Sequence, residues 1–138
     1  LKNPSGLKKN EIKKIDDGNI KLLGYQKDIA NLYAKSHIVC LPSYREGLPK
    51  SLIEAAAASR AVITTDVPGC RDAIEPNISG LLVPVMNDKA LADAIHDLIN
   101  NPEKRKKMGK AGRVLAEKEF RIEKIVDAHI RIYENLID

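Results

Sequence analysis

Two carboxylates, Glu46 and Glu54, with seven residues between them, are the side chains of this 138-residue chain best placed to do chemistry. They flank Gly47-Leu48-Pro49-Lys50-Ser51. Gly47 permits a tight backbone path, and Pro49 suits the first turn of a helix, where its missing N–H costs no hydrogen bond. The free amides of that first turn, those of Lys50, Ser51 and Leu52, would then point back into the loop. A helix N-terminus carries about half a positive charge together with unpaired donors, which suits a phosphate. A loop carboxylate beside it can accept hydrogen bonds from hydroxyls, and a second one about a turn into the helix can clamp a vicinal diol such as ribose. Together these are the means to hold a sugar nucleotide. Spacing alone is equally consistent with two solvated carboxylates, one on a loop and one on a helix, so the elements around them have to decide.

Those elements alternate. Leu7–Ile15 is expected to be helical, and Asp16-Asp17-Gly18-Asn19 is a turn signal. Ile20-Lys21-Leu22-Leu23-Gly24 reads as a short strand and Asp28–Ser36 as a helix with Ile29, Leu32 and Tyr33 on one face. His37-Ile38-Val39-Cys40-Leu41 is an unbroken apolar run, as in a parallel strand buried on both faces, with Cys40 as a small core residue. Pro49–Ser59 reads as a helix, Ala61–Thr65 as a β-branched strand, Asp66–Cys70 as a loop, Arg71–Ile74 as a helical turn and Gly80–Val85 as a strand. After Asp88, a candidate N-cap, the period becomes helical through Leu91, Ala94, Ile95 and Leu98. A Lys-rich helix follows from Glu103 to Lys118, and a last one carries Ile122, Ile125, Val126, Ile130, Tyr133 and Ile137. Strands alternating with helices imply an α/β fold with a parallel sheet. Ligands of such sheets sit beyond the carboxyl ends of the strands, which singles out the loops after Leu23, Leu41 and Thr65.

Composition narrows the partners. Aromatic residues are 4% of the chain, with no Trp, too few for the stacking platforms that bind single-stranded nucleic acid. The net charge of +4 suits an anionic ligand without specifying one. Cys40 and Cys70 have no metal-ligand spacing, which favours a reducing, cytoplasmic setting. No apolar stretch approaches the roughly 20 residues of a membrane span. The Lys104–Lys107 run with Lys110 and Arg113 is expected to be a solvated helix face, with peripheral contact to anionic lipid at the inner face of a membrane as the other reading. His37, His96 and His129 are read as inert, since no nucleophile or metal partner is in view.

Glu-x7-Glu after an apolar strand and Pro42-Ser43 resembles the donor-site signature of retaining glycosyltransferases of the GT-B fold, family four. The surroundings are similar in order: Gly24-Tyr25 with Asp28 and Leu32-Tyr33, His37–Ser43, Ala61–Asp66 through Pro68-Gly69, and Gly80-Leu81-Leu82-Val83. The resemblance covers Ile20 to Tyr133 and implies a Rossmann-like, three-layer domain. It also implies roles. Glu46 would meet the donor sugar near its reacting carbon and is the catalytic candidate. Gly47, Leu48, Pro49, Lys50 and Ser51 would approach sugar and diphosphate, and Glu54 would hold the ribose. Tyr25 would contact the base, and Pro68, Gly69 and Cys70 would form the loop facing the sugar. The resemblance implies no cofactor and no metal, because helix dipoles and basic side chains carry the charge of the leaving diphosphate.

Three departures qualify that resemblance. The basic Arg and Lys pair of the family, which follows its first strand, has only Lys2 and Lys50 as imperfect substitutes. The acceptor domain has no counterpart within these residues. Ser59 and Ala61 stand where the family has Gly and Pro. The expectation is therefore one nucleotide-sugar-binding domain over 1–138, the carboxy-terminal GT-B half lacking its first strand, with 1–18 a remnant of the first strand–helix unit and 88–138 a helical tail. The family reaction transfers a hexosyl group from a nucleoside diphosphate sugar to a sugar or lipid-linked acceptor, as in surface polysaccharide or lipopolysaccharide synthesis. The isolated chain is expected to lack turnover, and its last helix to repack or self-associate. The alternatives are a non-catalytic fragment or nucleotide- or partner-binding module, and a GT-B sugar-nucleotide epimerase relative.

Overall fold

The structure, a computed structural model, describes residue 11 and residues 18–137. The expected Leu7–Ile15 helix and most of the 1–18 remnant lie outside the described residues. Among the described residues nine elements follow in order: α1 (Ile29–Lys35), β1 (Ile38–Leu41), α2 (Lys50–Ala57), β2 (Ala61–Thr65), α3 (Pro68–Asp72), β3 (Gly80–Val83), α4 (Asp88–Asn100), α5 (Pro102–Glu119) and α6 (Ile122–Ile137). The three strands form a parallel sheet in the order β1-β2-β3. The register sets Leu41 beside Thr64, and Thr65 beside Val83.

Alternation along the strands divides the core into two layers. Val62 packs with Leu52 and Ala55 of α2 and with Val67, Cys70, Ala73 and Ile74 around α3, while Val39, Leu41 and Leu82 lie against them. Ala61, Ile63, Leu81 and Val83 face the other way, onto Leu98 of α4 and Met108 of α5. β2 is central, and all five of its residues are buried. Fully burying one such Val or Ile side chain contributes about 1.5–3 kcal/mol, so this strand anchors both layers. Small residues let α5 approach α2: a Cβ on Gly112 would meet the Ala56 side chain at 3.3 Å, and one on Gly109 would run into the Ser59 carbonyl.

Several expectations are corrected. Ile20–Gly24 forms no strand. An extended segment becomes one only when a neighbour takes its amides, and no described strand lies beside it; Ile20, Leu22 and Leu23 are 46%, 64% and 45% exposed. Cys40 is exposed rather than a core residue. It shares the sheet face of Ile38, where α4 and α5 pack mainly on β2 and β3 and leave the β1 end bare. The cap of α4 is Asn87, whose side chain accepts from the Ala90 amide at 2.9 Å; Asp88 is the first helical residue. Pro49 is the N-cap of α2 rather than its first helical residue. The strand expected to reach Val85 stops at Val83. The amphipathic α6 carries no buried residue, and the apolar side chains from Ile122 to Ile137 lie in the open. Among the described residues no helix is long and apolar enough to cross a membrane.

Candidate functional site

The loop from Pro42 to Pro49 leaves the carboxyl end of β1 and enters α2. Its exit from the sheet is clamped. Two threonines close β2, and each spends its hydroxyl on this loop: Thr64 Oγ1 donates to the Leu41 carbonyl at 2.8 Å, and Thr65 Oγ1 donates to the Ser43 carbonyl. Both threonines are buried, so their hydroxyls need acceptors inside the protein. The Ser43 amide also donates to Leu41 O at 3.0 Å. Held this way, the Ser43 hydroxyl donates to Glu46 Oε1 at 2.5 Å. Glu46 itself is half-buried. Among the described residues its second oxygen has no hydrogen-bond partner, which leaves it free to accept from a ligand.

Past Gly47, the buried Pro49 caps α2. Its carbonyl takes the Leu52 amide at 3.1 Å and the Ile53 amide at 3.4 Å. The amides of Lys50 and Ser51 therefore remain the open donors of the first turn, two rather than the expected three. Lys50 is exposed beside them.

The second loop, after β2, closes against the first. Pro68 occupies the first position of α3, so residues expected to be loop are helical. The turn buries Cys70 completely among Leu52, Val62 and Ala73. The Cys70 side chain belongs to the core, so what it offers the loop expected to face the sugar is backbone. Gly69 lies directly against the Glu46–Gly47 backbone: a Cβ there would overlap the Gly47 carbonyl and stand 2.5 Å from the Glu46 carbonyl oxygen. Only glycine allows the two loops to touch this closely. Pro68 remains exposed at the rim. Asp66 pairs with Arg71 across the base of the same turn. The Arg71 guanidinium holds the Asp66 carboxyl below the usual carboxylate range, chiefly through the hydrogen bond.

Glu54 lies apart from this contact. On the exposed side of α2 it lines a cavity of about 660 Å³ with Tyr33, Arg113, Ala57, Ala58 and the start of α1. Burial, and then the Glu54 charge, push the Tyr33 phenol above its ordinary value. Arg113 reaches the Ala57 carbonyl at the end of α2 and pairs with Glu117 at 2.7 Å. Glu46 does not line this cavity. Tyr25 is 88% exposed beyond the left-handed Gly24 and lines neither it nor the cavity of about 430 Å³ at the strand ends, between Ser43, Tyr44, Thr65 and the Val83–Asp88 turn. The structure thus brings Glu46 together with Ser43, Thr65 and Gly69, and Glu54 together with Tyr33 and Arg113. Ser43, the threonines, Tyr33 and Arg113 carry no role at the site in the sequence reading, where they enter only as parts of the family pattern or of the basic helix face. A Thr-Thr pair ending a buried strand is a readable signal for the clamp, whereas nothing local marks Arg113, 56 residues from the carbonyl it reaches. Among the described residues, no three His, Cys, Asp or Glu side chains cluster as metal ligands.

A parallel sheet with its carboxylate loop at the strand ends and helices on both faces is an α/β arrangement shared with GT-B glycosyltransferase domains. The family model described as Glycosyl transferases group 1 matches residues 6–115, and the chain belongs to that family. It is 31% identical over 124 residues to an N,N'-diacetylbacillosaminyl-diphospho-undecaprenol alpha-1,3-N-acetylgalactosaminyltransferase of Campylobacter jejuni, covering 89% of this chain and 32% of that protein. It is 34% identical over 131 residues to an uncharacterized glycosyltransferase of Methanocaldococcus jannaschii, covering 94% of this chain and 37% of that one. The chain therefore spans about a third of the length of these relatives. Among solved structures it superposes on a glycosyltransferase of Rickettsia africae with a TM-score of 0.87 at 28% identity, over 94% of this chain and 35% of that chain. It also superposes on Staphylococcus aureus TarM, in complex with fondaparinux, alpha-GlcNAc-glycerol and UDP, with a TM-score of 0.83 at 27% identity, over 91% of this chain and 27% of that one.

Proposed function

We propose that this chain is the donor-binding half of a retaining glycosyltransferase, and that it takes a nucleoside diphosphate hexose. The observation that carries the reading is the junction at the strand ends. There, one loop and the start of α2 carry a carboxylate with one free oxygen, two open amides and a glycine-close contact with the second loop. In this reading the Lys50 and Ser51 amides receive the diphosphate, with Lys50 adding charge. The backbone from Gly47 to Pro49 lies along the sugar, and Gly69 and Pro68 border it from the second loop. Glu46 accepts from sugar hydroxyls beside the reacting carbon. Glu54 takes the ribose diol at the mouth of its cavity, with Tyr25 beyond it near the base. The diphosphate leaves without a metal, its charge met by amide donors and Lys50.

Acceptor binding and turnover require the rest of the enzyme. Holding two substrates in reacting geometry supplies much of such a rate, so this chain alone binds the donor weakly and does not transfer it. The full reaction moves a hexosyl group, with retention, to a sugar or lipid-linked acceptor in surface polysaccharide synthesis. It takes place on the cytoplasmic side, with the Lys-rich face of α5 available to an anionic membrane. The undecaprenol-linked acceptor in the name of the Campylobacter relative and the UDP complex of TarM support this reading.

Calorimetric titration of the chain with UDP, GDP and ADP and with their hexose conjugates tests it. Saturable binding of one nucleotide series, lost in Glu54→Ala and retained in His96→Ala, is the expected result. Absence of binding to every one of them at millimolar concentration refutes it.

A further inference from the structure

We infer that Ser43 and Thr65 are positioning residues for Glu46, and that they set the contact with the donor sugar rather than with the nucleotide. The inference rests on the reading of Glu46 as the residue that meets the sugar. A glutamate on a loop has several rotatable bonds, and fixing such a side chain costs on the order of 1.5–2 kcal/mol of rotamer freedom. Here that ordering is built in before any ligand arrives. Thr65, nine-tenths buried at the last position of β2, donates its hydroxyl to the Ser43 carbonyl. Thr64, one residue earlier, fixes the Leu41 carbonyl from the other side of the strand. With its backbone held at both points, Ser43 donates its hydroxyl to Glu46 Oε1 at 2.5 Å.

Two consequences follow for the carboxylate. Its rotation is restrained by the bond to Oε1, so the fully open oxygen, Oε2, meets a ligand from a defined direction. The chain of donors also starts from β2, the most buried element of the fold. Glu46 is thereby referenced to the sheet, not to its own exposed loop. Gly69 meets the Glu46–Gly47 peptide through backbone contact alone, so the Ser43–Thr65 relay is the part of the arrangement that acts on the side chain. The α2 amides and Glu54 lie outside the relay, which is why the nucleotide is left untouched.

The test uses Ser43→Ala and Thr65→Val, with Thr65→Ser as the conservative variant, titrated with UDP and UDP-glucose and, in parallel, with GDP and GDP-mannose. Loss of one hydrogen bond to a charged group is expected to weaken the sugar nucleotide about tenfold. The free diphosphate should keep its affinity, and Thr65→Ser should restore the wild-type ratio. Ser43→Ala should add nothing further in a Glu46→Ala background, since it acts through that carboxylate. Equal weakening of both ligands, or no change in either, overturns the inference while leaving the donor site standing. If the unaltered chain binds no nucleotide at all, the donor reading fails, and a ligand-free measurement still judges the relay. The carboxyl carbon resonance of Glu46 should move in Ser43→Ala and Thr65→Val and return in Thr65→Ser. A resonance indifferent to all three overturns the relay.

Discussion

Replacing Gly69 by alanine places a methyl group where two loops already touch. The new Cβ would overlap the Gly47 carbonyl and lie 2.5 Å from the Glu46 carbonyl oxygen, where side-chain carbons essentially never come closer than 3.0 Å. The Glu46 oxygen must therefore retreat by at least about half an ångström, and the Gly47 carbonyl by more. The obstacle is backbone, held at one end by the Thr64 and Thr65 hydroxyls and at the other by the cap of α2, so it cannot swing aside as a side chain would. Overpacking of this kind costs about 1–3 kcal/mol, and a rigid obstacle favours the upper part of that range. For a domain of this size each kcal/mol lowers Tm by roughly 3 °C. Gly47→Ala is the matched control, because its Cβ would meet nothing within 4 Å and its backbone is not left-handed. Urea unfolding of the two variants beside the parent measures the difference directly. Nucleotide titration of whichever variant folds should show weakened sugar-nucleotide binding for Gly69→Ala, because Glu46 rides on the displaced peptide. If Gly69→Ala is as stable as Gly47→Ala, to within about 0.5 kcal/mol, the close contact between the loops is wrong, and the junction built on it falls.

Three further outcomes are expected. Glu54→Gln should bring the Tyr33 phenol part of the way back toward its ordinary 10.0, since the Glu54 charge is the smaller of its two causes and burial remains. Ultraviolet difference titration beside a Tyr33→Phe reference isolates the Tyr33 phase; a Tyr33 titration unchanged in Glu54→Gln would separate Glu54 from that cavity. Arg71→Gln should raise the Asp66 carboxyl toward its ordinary 3.8. The sign follows from the depressed folded value: the pair's contribution is present above 3.8 and is lost as pH falls through that lower value. Carboxyl NMR titration that shows no upward movement would remove the Asp66–Arg71 pair. Ser59→Gly should stabilise the chain by about 0.5–1 kcal/mol in thermal unfolding, because Ser59 closes α2 with a left-handed φ of 58° that glycine adopts without strain; a destabilised variant would contradict that geometry.

How much was legible varies with the reach of the signal. The helices α1, α2, α4, α5 and α6 and the strands β1, β2 and β3 follow from apolar period, prolines and capping residues within a few positions of each element. Ile20–Gly24 has the same local character as β1, yet it stays out of the sheet because pairing depends on a neighbour. The two cysteines illustrate a similar dependence. Apolar neighbours in sequence suggest that Cys40 is a core residue, and the run from Asp66 suggests that Cys70 ends a loop. Burial was decided by which faces α4 and α5 cover and by where Pro68 starts a helix.

The sequence by itself determined the α/β class, the parallel sense of the sheet and the two carboxylates flanking a helix start, because each is written in contiguous residues whose periodicity and turn chemistry act over one or two turns. Tertiary structure alone decided what those carboxylates can do. It set the Thr65 hydroxyl at the end of β2 against the Ser43 carbonyl in the loop after β1, put Gly69 against the Glu46–Gly47 peptide, and gave Glu54 a separate cavity with Tyr33 and Arg113. The partners in these contacts are about 20 to 60 residues apart along the chain. Strand register and helix packing bring them together, and no local pattern encodes either.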